Sequence, residues 1–261
     1  MTIARKGRRL LLLCAVLLTA SAPAQTIVSR IDLSAPFAAR AGWRFLAFQG
    51  PGRADDFEPD GQAPGAIRLC ISRDGGRSCH PDLSHLLAAD FGGASDAVPH
   101  YLNWVRIVRP RPGQALLLIQ VGGLHSGDGD QRVGTAALAY DRAHDTFVSA
   151  YEMWTGHNNN QEIRYIMSGP LRGAIVSAEE TEDAPFGFWI IVNRRSPAGH
   201  YRQVLRYRSA THYGDGNPLA VIDSEMPNIQ QRLGLWRPGR PLPLPPRGCR
   251  RPRLIDHELW C

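Results

Sequence analysis

Lysine is almost missing from this chain: Lys6 is its single lysine, and every other member of the Lys/Arg set is an arginine. Uniform arginine usage of this kind follows base composition, so the arginines do not by themselves mark a phosphate reader. Their distribution argues further against a nucleic-acid partner. Between Gln25 and Gln231 there are 19 Arg against 22 Asp and Glu, whereas from Arg232 to Cys261 there are 7 Arg against Asp256 and Glu258. A body slightly acidic and a tail strongly basic do not place positive charge on a folded face. Also lacking is any extended segment with helical periodicity, which excludes an all-α fold. No CxxC pair or matching histidine spacing is present, which removes the common zinc sites.

The longest apolar run is short and sits at the start. Arg5, Lys6, Arg8 and Arg9 precede Leu10 to Leu18, and Ala22-Pro23-Ala24 then leads to Gln25. A basic segment, a short apolar segment and an A-x-A site have the pattern of a secretory signal peptide, cleaved after residue 24, with no membrane span left in the mature chain. Cys14 lies inside the apolar run, too early for a lipid-anchor site. The expected localisation is periplasmic or secreted.

Export makes the remaining cysteines informative. Cys70, Cys79, Cys249 and Cys261 are even in number and bound for an oxidising compartment. Four cysteines allow three connectivities, and the short loops favour Cys70 with Cys79 and Cys249 with Cys261. The mature chain is long enough for one substantial core, so residues 25–236 read as a single domain and 237–261 as a Pro/Arg-rich strap closed by the second disulfide. Within that strap PGRPLPLPPRGCRRPR cannot be helix or central strand, because proline fixes φ and lacks the N–H donor.

What the body does have is a succession of β-branched and aromatic runs divided by Gly, Pro, Asn and Asp. Strands are expected at Trp43 to Gln49, Ala66 to Ser72, Trp104 to Val108, Ala115 to Val121, Thr135 to Tyr140, Thr146 to Trp154, Gly173 to Ala178, Phe186 to Asn193, Tyr201 to Arg208 and Leu219 to Asp223. One short helix is expected at Asp82 to Ala89, capped by Asp82. In the strand after Thr146, Phe147, Tyr151 and Met153 alternate with Val148, Ala150 and Trp154. Phe186 to Val192 is apolar on both faces, as in a central strand, while Arg202, Arg206 and Arg208 mark a wet face on the next. The fold class is all-β: a β-propeller-like meander of antiparallel strands, with a two-sheet β-sandwich as the alternative.

Ser72-Arg73-Asp74-Gly75-Gly76-Arg77-Ser78-Cys79 resembles the Asp-box hairpin, S-x-D-x-G-x-[ST]-W, of sialidase-type β-propellers, with Cys79 in place of the tryptophan. The resemblance covers eight residues and has no second copy. It implies an aspartate that bonds turn amides and stiffens a hairpin, a structural role without catalysis, and it favours the propeller.

Three polar islands are candidates for chemistry. The first is Gly156 to Arg164, GHNNNQEIR, after Trp154. His157, Asn158, Asn159, Asn160, Glu162 and Arg164 suit a turn, a surface whose amides meet sugar hydroxyls beside the Trp154 or Tyr165 ring, or a site with His157 or Glu162 as base. The spacing does not choose. In the second, His125 to Asp130, Asp128 and Asp130 are hard oxygen donors for calcium, but Arg132 breaks the EF-hand pattern, Ser126 is not centred in G-x-S-x-G, and a solvated Asp-Gly turn serves as well. In the third, Glu179-Glu180-Thr181-Glu182-Asp183, crowding of acids implies solvation. A glycosidase would need paired carboxylates, for which Glu152 with Glu179 or Glu162 are the candidates. His80, His85 and His100 match no metal motif, and no cofactor is expected. The functional expectation is an exported, non-catalytic domain that binds a glycan or a protein partner at the cell envelope. A glycan-directed hydrolase is the alternative.

Overall fold

The computed structural model describes residues 25–54, 61–87, 98–125, 131–155, 162–209, 217–243, 249–256 and 258–261. Strands dominate. β1 (Thr26–Asp32), β2 (Arg44–Gln49) and β5 (Ile67–Ser72) form one sheet in the order β1-β2-β5. A small ribbon, β3 (Arg53–Ala54) with β4 (Gln62–Ala63), lies between β2 and β5 in sequence. Two four-stranded antiparallel meanders follow in strict chain order. The first comprises β6 (Tyr101–Arg111), β7 (Gln114–His125), β8 (Gln131–Asp141) and β9 (Thr146–Thr155). The second comprises β10 (Glu162–Tyr165), β11 (Ile175–Glu180), β12 (Phe188–Arg195) and β13 (Tyr201–Ser209). The four-residue helix α1 (Ser34–Phe37) joins β1 to β2, α2 (Val221–Arg232) follows β13, and β14 (Arg253–Ile255) with β15 (Glu258–Trp260) makes a C-terminal hairpin.

The all-β expectation holds, and the packed antiparallel sheets are in keeping with the sandwich alternative. Among the described residues the sheets close into no barrel or ring; they stack as layers. β7 shows why. Leu117, Ile119 and Val121 point into a core shared with β1, β2, β5 and the 3-10 turn Ser84–Leu87, while Leu116 and Leu118 point the other way, toward Tyr165 and Ile175 of the second meander. A strand apolar on both faces needs a partner on both. The next layer repeats the logic: Ile175 of β11 faces the first meander, and Val176 and Ala178 face Ile222, Met226 and Ile229 of α2. The order is therefore sheet, sheet, sheet, helix. Burying a Leu or Ile side chain contributes about 1.5–3 kcal/mol, so these three cores carry the stability of the stack.

Two expectations about β9 and α2 are also corrected. Phe147 and Tyr151 do not share a face: a bulge between Ala137/Leu138 and their partners Tyr151/Ser149 shifts the alternation by one residue. Phe147 thus packs toward the first sheet and Tyr151 with Met153 toward the second meander. The segment expected as a strand at Leu219 to Asp223 opens α2 instead. Ile222, Met226 and Ile229 recur at i, i+4 and i+7 on a single buried face, and Pro227, inside the helix, masks that period in the sequence. The helix expected at Asp82 is present as the 3-10 turn Ser84–Leu87, with Asp82 Oδ1 accepting the Ser84 N–H at 2.9 Å.

The Asp74 hairpin behaves as its resemblance implies. Asp74 accepts the backbone N–H groups of Arg77 and Ser78, each at 3.0 Å, and the hydroxyls of Ser78 (2.7 Å) and Ser72 (2.5 Å). These donors hold its carboxyl well below the usual carboxylate range. The Cys70–Cys79 disulfide closes the same hairpin. Asp145, in the β8–β9 turn, ties the layer together by accepting from Tyr140 Oη (2.6 Å), Trp43 Nε1 (2.9 Å) and Arg73 Nη1 (2.8 Å). The second expected pair, Cys249 and Cys261, is brought side by side within hydrogen-bonding reach, with no S–S bond between them. Their closeness brings the chain end back on itself without a covalent bond.

Candidate functional site

The first two polar islands leave from one end of the β6–β9 sheet. His125 pairs with Gln131 at the end of β7, and Trp154 pairs with Gly134 near the end of β9. Trp154 is 40% exposed, and the His125 ring meets Tyr101 edge-on, with centroids 5.9 Å apart. His157, Asn158, Asn159, Asn160, Asp128 and Asp130 lie outside the described residues.

Glu162 and Arg164 belong to a different place. They begin β10, on the face turned to α2, since Glu162 pairs with Ala178 and Arg164 with Val176, both of which pack against the helix. Glu162 Oε1 accepts the Ile222 N–H in the first turn of α2, where helix amides lack intrahelical partners. Arg164 bridges Glu162 Oε2 (3.2 Å) and Asp223 Oδ1. Burial pushes the Glu162 carboxyl up, against the opposing pull of Arg164 and the Ile222 amide. This constellation latches α2 to the second meander.

The carboxylates considered for glycoside hydrolysis are on three separate faces. Glu152 reaches His85 Nε2 at 2.9 Å, on the side of the 3-10 turn. Glu179 lies between the two meanders, accepting from Ser177 Oγ at 3.1 Å, with its carboxyl pushed up by burial. Glu162 faces α2. The β6–β9 sheet separates Glu152 from Glu179, and the β10–β13 sheet separates Glu179 from Glu162, so no pair flanks a common cleft. Buried His100 holds the Pro64 carbonyl through Nδ1 at 2.7 Å. Among the described residues no three metal-ligating side chains group together.

A site that sequence reasoning missed lies on the other side of α2. Tyr207, Arg208, Ser209, Glu225, Asn228, Gln231, Arg232, Asp256 and Glu258 line a cleft of about 610 Å³ between β13, α2 and the C-terminal hairpin. Glu225 is 2% exposed. It accepts hydrogen bonds from Tyr207 Oη, Ser209 Oγ and, at 3.2 Å, Asn228 Nδ2. The Arg232 guanidinium stands 4.3 Å over the Tyr207 ring. Burial, followed by the Glu225 charge, pushes the Tyr207 phenol up, so it remains a donor at neutral pH. Asn217 Nδ2 holds the far wall by reaching both Ser224 Oγ and the Leu259 carbonyl at 3.2 Å, and Leu259 is fully buried.

The only sequence signal for this cleft was the phase of α2. Glu225, Asn228 and Arg232 stand at i, i+3 and i+7, one stripe of a helix whose other stripe is apolar. Asp256 and Glu258 arrive from a tail expected to be a strap.

The fold and cleft define a layered antiparallel β protein with a polar cleft of ligand size under a C-terminal hairpin. No protein-family model, curated protein or solved structure matches the chain. Among the described residues no helix is long and apolar enough to cross a membrane.

Proposed function

We propose that this chain is an exported binding protein of the cell envelope, periplasmic or secreted, and that its ligand is a polyhydroxylated molecule, a glycan, held in the cleft between β13, α2 and the C-terminal hairpin. One observation carries the reading: the cleft wall combines groups that only accept (Glu225, Asp256, Glu258), a group that only donates (Arg232) and amides that do both (Asn228, Gln231). Sugar hydroxyls donate and accept at once, and match such a wall without requiring a single net charge. The volume lies in the range of small-ligand sites. Export rests on the basic and apolar leader, and the Cys70–Cys79 bridge is in keeping with an oxidising compartment. Trp154 and His125, at the end of the β6–β9 sheet, offer a second surface where a protein partner would meet exposed rings.

Binding is preferred to hydrolysis because Glu152, Glu162 and Glu179 face apart. Titration calorimetry with a panel of soluble envelope oligosaccharides tests the proposal. Wild-type protein should bind at least one, and Asn228→Ala with Arg232→Ala should weaken that binding about tenfold or more, the loss of one good polar contact. Binding to none, or binding indifferent to both substitutions, would remove the cleft as the site; bond cleavage in the mixture would restore the hydrolase.

A further inference from the structure

A second polar centre lies at the opposite end and opposite face of β13, where the two meanders meet. Tyr165, at the end of β10, is 5% exposed, yet its hydroxyl has no hydrogen-bond partner. A phenol left so is costly, because it has given up water without replacement. Its surroundings are one-signed. The charged groups that act on it are the guanidiniums of Arg172, Arg195 and Arg106.

Specific contacts gather these arginines. Arg195, half-buried at the end of β12, donates through Nη1 to Gln114 Oε1 and through Nε to the Gly199 carbonyl, each at 2.8 Å. Gln114 is the register partner of Arg111 across the β6–β7 turn, and the Arg111 charge in turn bears on Arg195. Arg172 Nη2 reaches the Arg109 carbonyl at 3.4 Å. Its turn is pressed onto β6: a Cβ on Gly173 would stand 3.1 Å from Pro110 Cβ. Tyr201 Oη completes the seam by donating to the Gly173 carbonyl at 2.8 Å.

Among the described residues no carboxylate forms an ion pair with Arg106, Arg111, Arg172 or Arg195. Other arginines do have carboxylate partners: Arg40 and Arg73 pair with Asp145, Arg164 with Glu162 and Asp223, and Arg208 with Asp183. Like charges converging on an unsatisfied donor are relieved together by a group bringing negative charge and several acceptor oxygens. Guanidinium forks and a phenol match the oxygens of a tetrahedral oxyanion. Arg106, Arg111 and Arg172 are exposed, which leaves the seam open to such a group.

We propose that Tyr165, Arg106, Arg172 and Arg195 form an oxyanion-binding site at the seam of the two meanders, taking a phosphate or sulfate group, either free or carried on a larger envelope molecule. It is distinct from the cleft and does not depend on the cleft's ligand.

The test measures melting temperature and calorimetric binding with inorganic phosphate, inorganic sulfate and a hexose phosphate, against sodium chloride at equal ionic strength. Saturable stabilisation by an oxyanion beyond that of chloride is expected. Tyr165→Phe and Arg172→Gln should each weaken it about tenfold, while Arg232→Ala in the cleft leaves it unchanged. Arg106→Gln and Arg172→Gln alter exposed side chains and keep the test informative if Arg195→Gln fails to fold. Comparable affinity for inorganic phosphate and hexose phosphate would assign the site to a free oxyanion, and a clear preference for the hexose phosphate to a phosphorylated glycan. Stabilisation no greater than chloride gives, or binding that survives both Tyr165→Phe and Arg172→Gln, would overturn the site.

Discussion

Asp74 and Glu225 each collect several hydrogen-bond donors, and they draw them from different distances along the chain. Asp74 takes all of its donors from Ser72, Arg77 and Ser78, within four positions of itself, in an exposed hairpin. Glu225 takes Tyr207 and Ser209 from a strand 16 to 18 positions away, adds Asn228 one helical turn on, and is buried. The first arrangement can form as soon as the turn does, and its consequence stays in the turn. The second exists only when β13 and α2 have docked, so the same chemistry there reports on tertiary structure and shapes the cleft.

Removing the long-range acceptor should have the largest effect. In Glu225→Ala the hydroxyls of Tyr207 and Ser209 lose their acceptor inside the fold, and each buried donor left without a partner costs about 1–3 kcal/mol. Urea unfolding should register a loss of about 3 kcal/mol, with Glu225→Gln losing less because an acceptor oxygen is kept. A loss under about 0.5 kcal/mol, the scale of an ordinary surface substitution, would show that β13 and α2 do not depend on this carboxylate.

Breaking the local crosslink should come next. Replacing both Cys70 and Cys79 with alanine frees a loop with a sequence separation of 9. The chain-entropy model puts that at about 2–3 kcal/mol. If the hairpin is locally self-sufficient, the variant should unfold in one transition at lower urea, with binding by the cleft intact. Loss of cleft binding at urea-free, fully folded conditions would mean that the two regions are coupled, and the contrast drawn between them would fail.

The contrast also explains what could be read from the sequence. The strands of both meanders other than β10, the Asp74 hairpin and the Cys70–Cys79 bridge were legible because alternation, turn residues and short loops are local properties. The bulge at Tyr151 was not, since one inserted residue changes face without changing composition. Helix α2 was hidden by Pro227, which is tolerated because the helix is held by its buried apolar stripe and by Glu162 and Arg164 at its start. Glu162 and Arg164 were singled out in sequence as members of a polar island, but register assigns them to that latch. The cleft was illegible because its walls meet only once α2 folds back on β13 and the C-terminal hairpin closes over both. The seam arginines stood unmarked for the same reason: only β6–β7 pairing and the Gly169-to-Gly173 turn bring them together.

The smallest expected effect concerns pH, and it separates the two kinds of carboxylate by sign. Ser72, Ser78 and Arg77 hold the Asp74 carboxyl below its ordinary value of 3.8. A depressed carboxylate pKa contributes stability that is complete above the unfolded value and is lost as pH falls below it toward the folded one. Asp82, Asp141 and Asp145 are lowered as well, by serine, histidine and tyrosine donors respectively, and act in the same direction. Glu162 and Glu179 are raised above 4.5 by burial, so their charged forms disfavour the fold, and acidification through that region relieves them. Asp74→Asn should therefore melt below wild type at pH 7, and the gap should narrow as pH drops below about 3.8, where Asp74 of the unfolded chain takes up a proton while the folded carboxyl, held by its donors, stays ionised. Melting curves between pH 7 and 2.5 measure it. A gap that stays constant throughout would mean that the turn uses the side chain's shape and not its charge, and that Asp74 is a local fixture even less dependent on ionisation than its four donors imply.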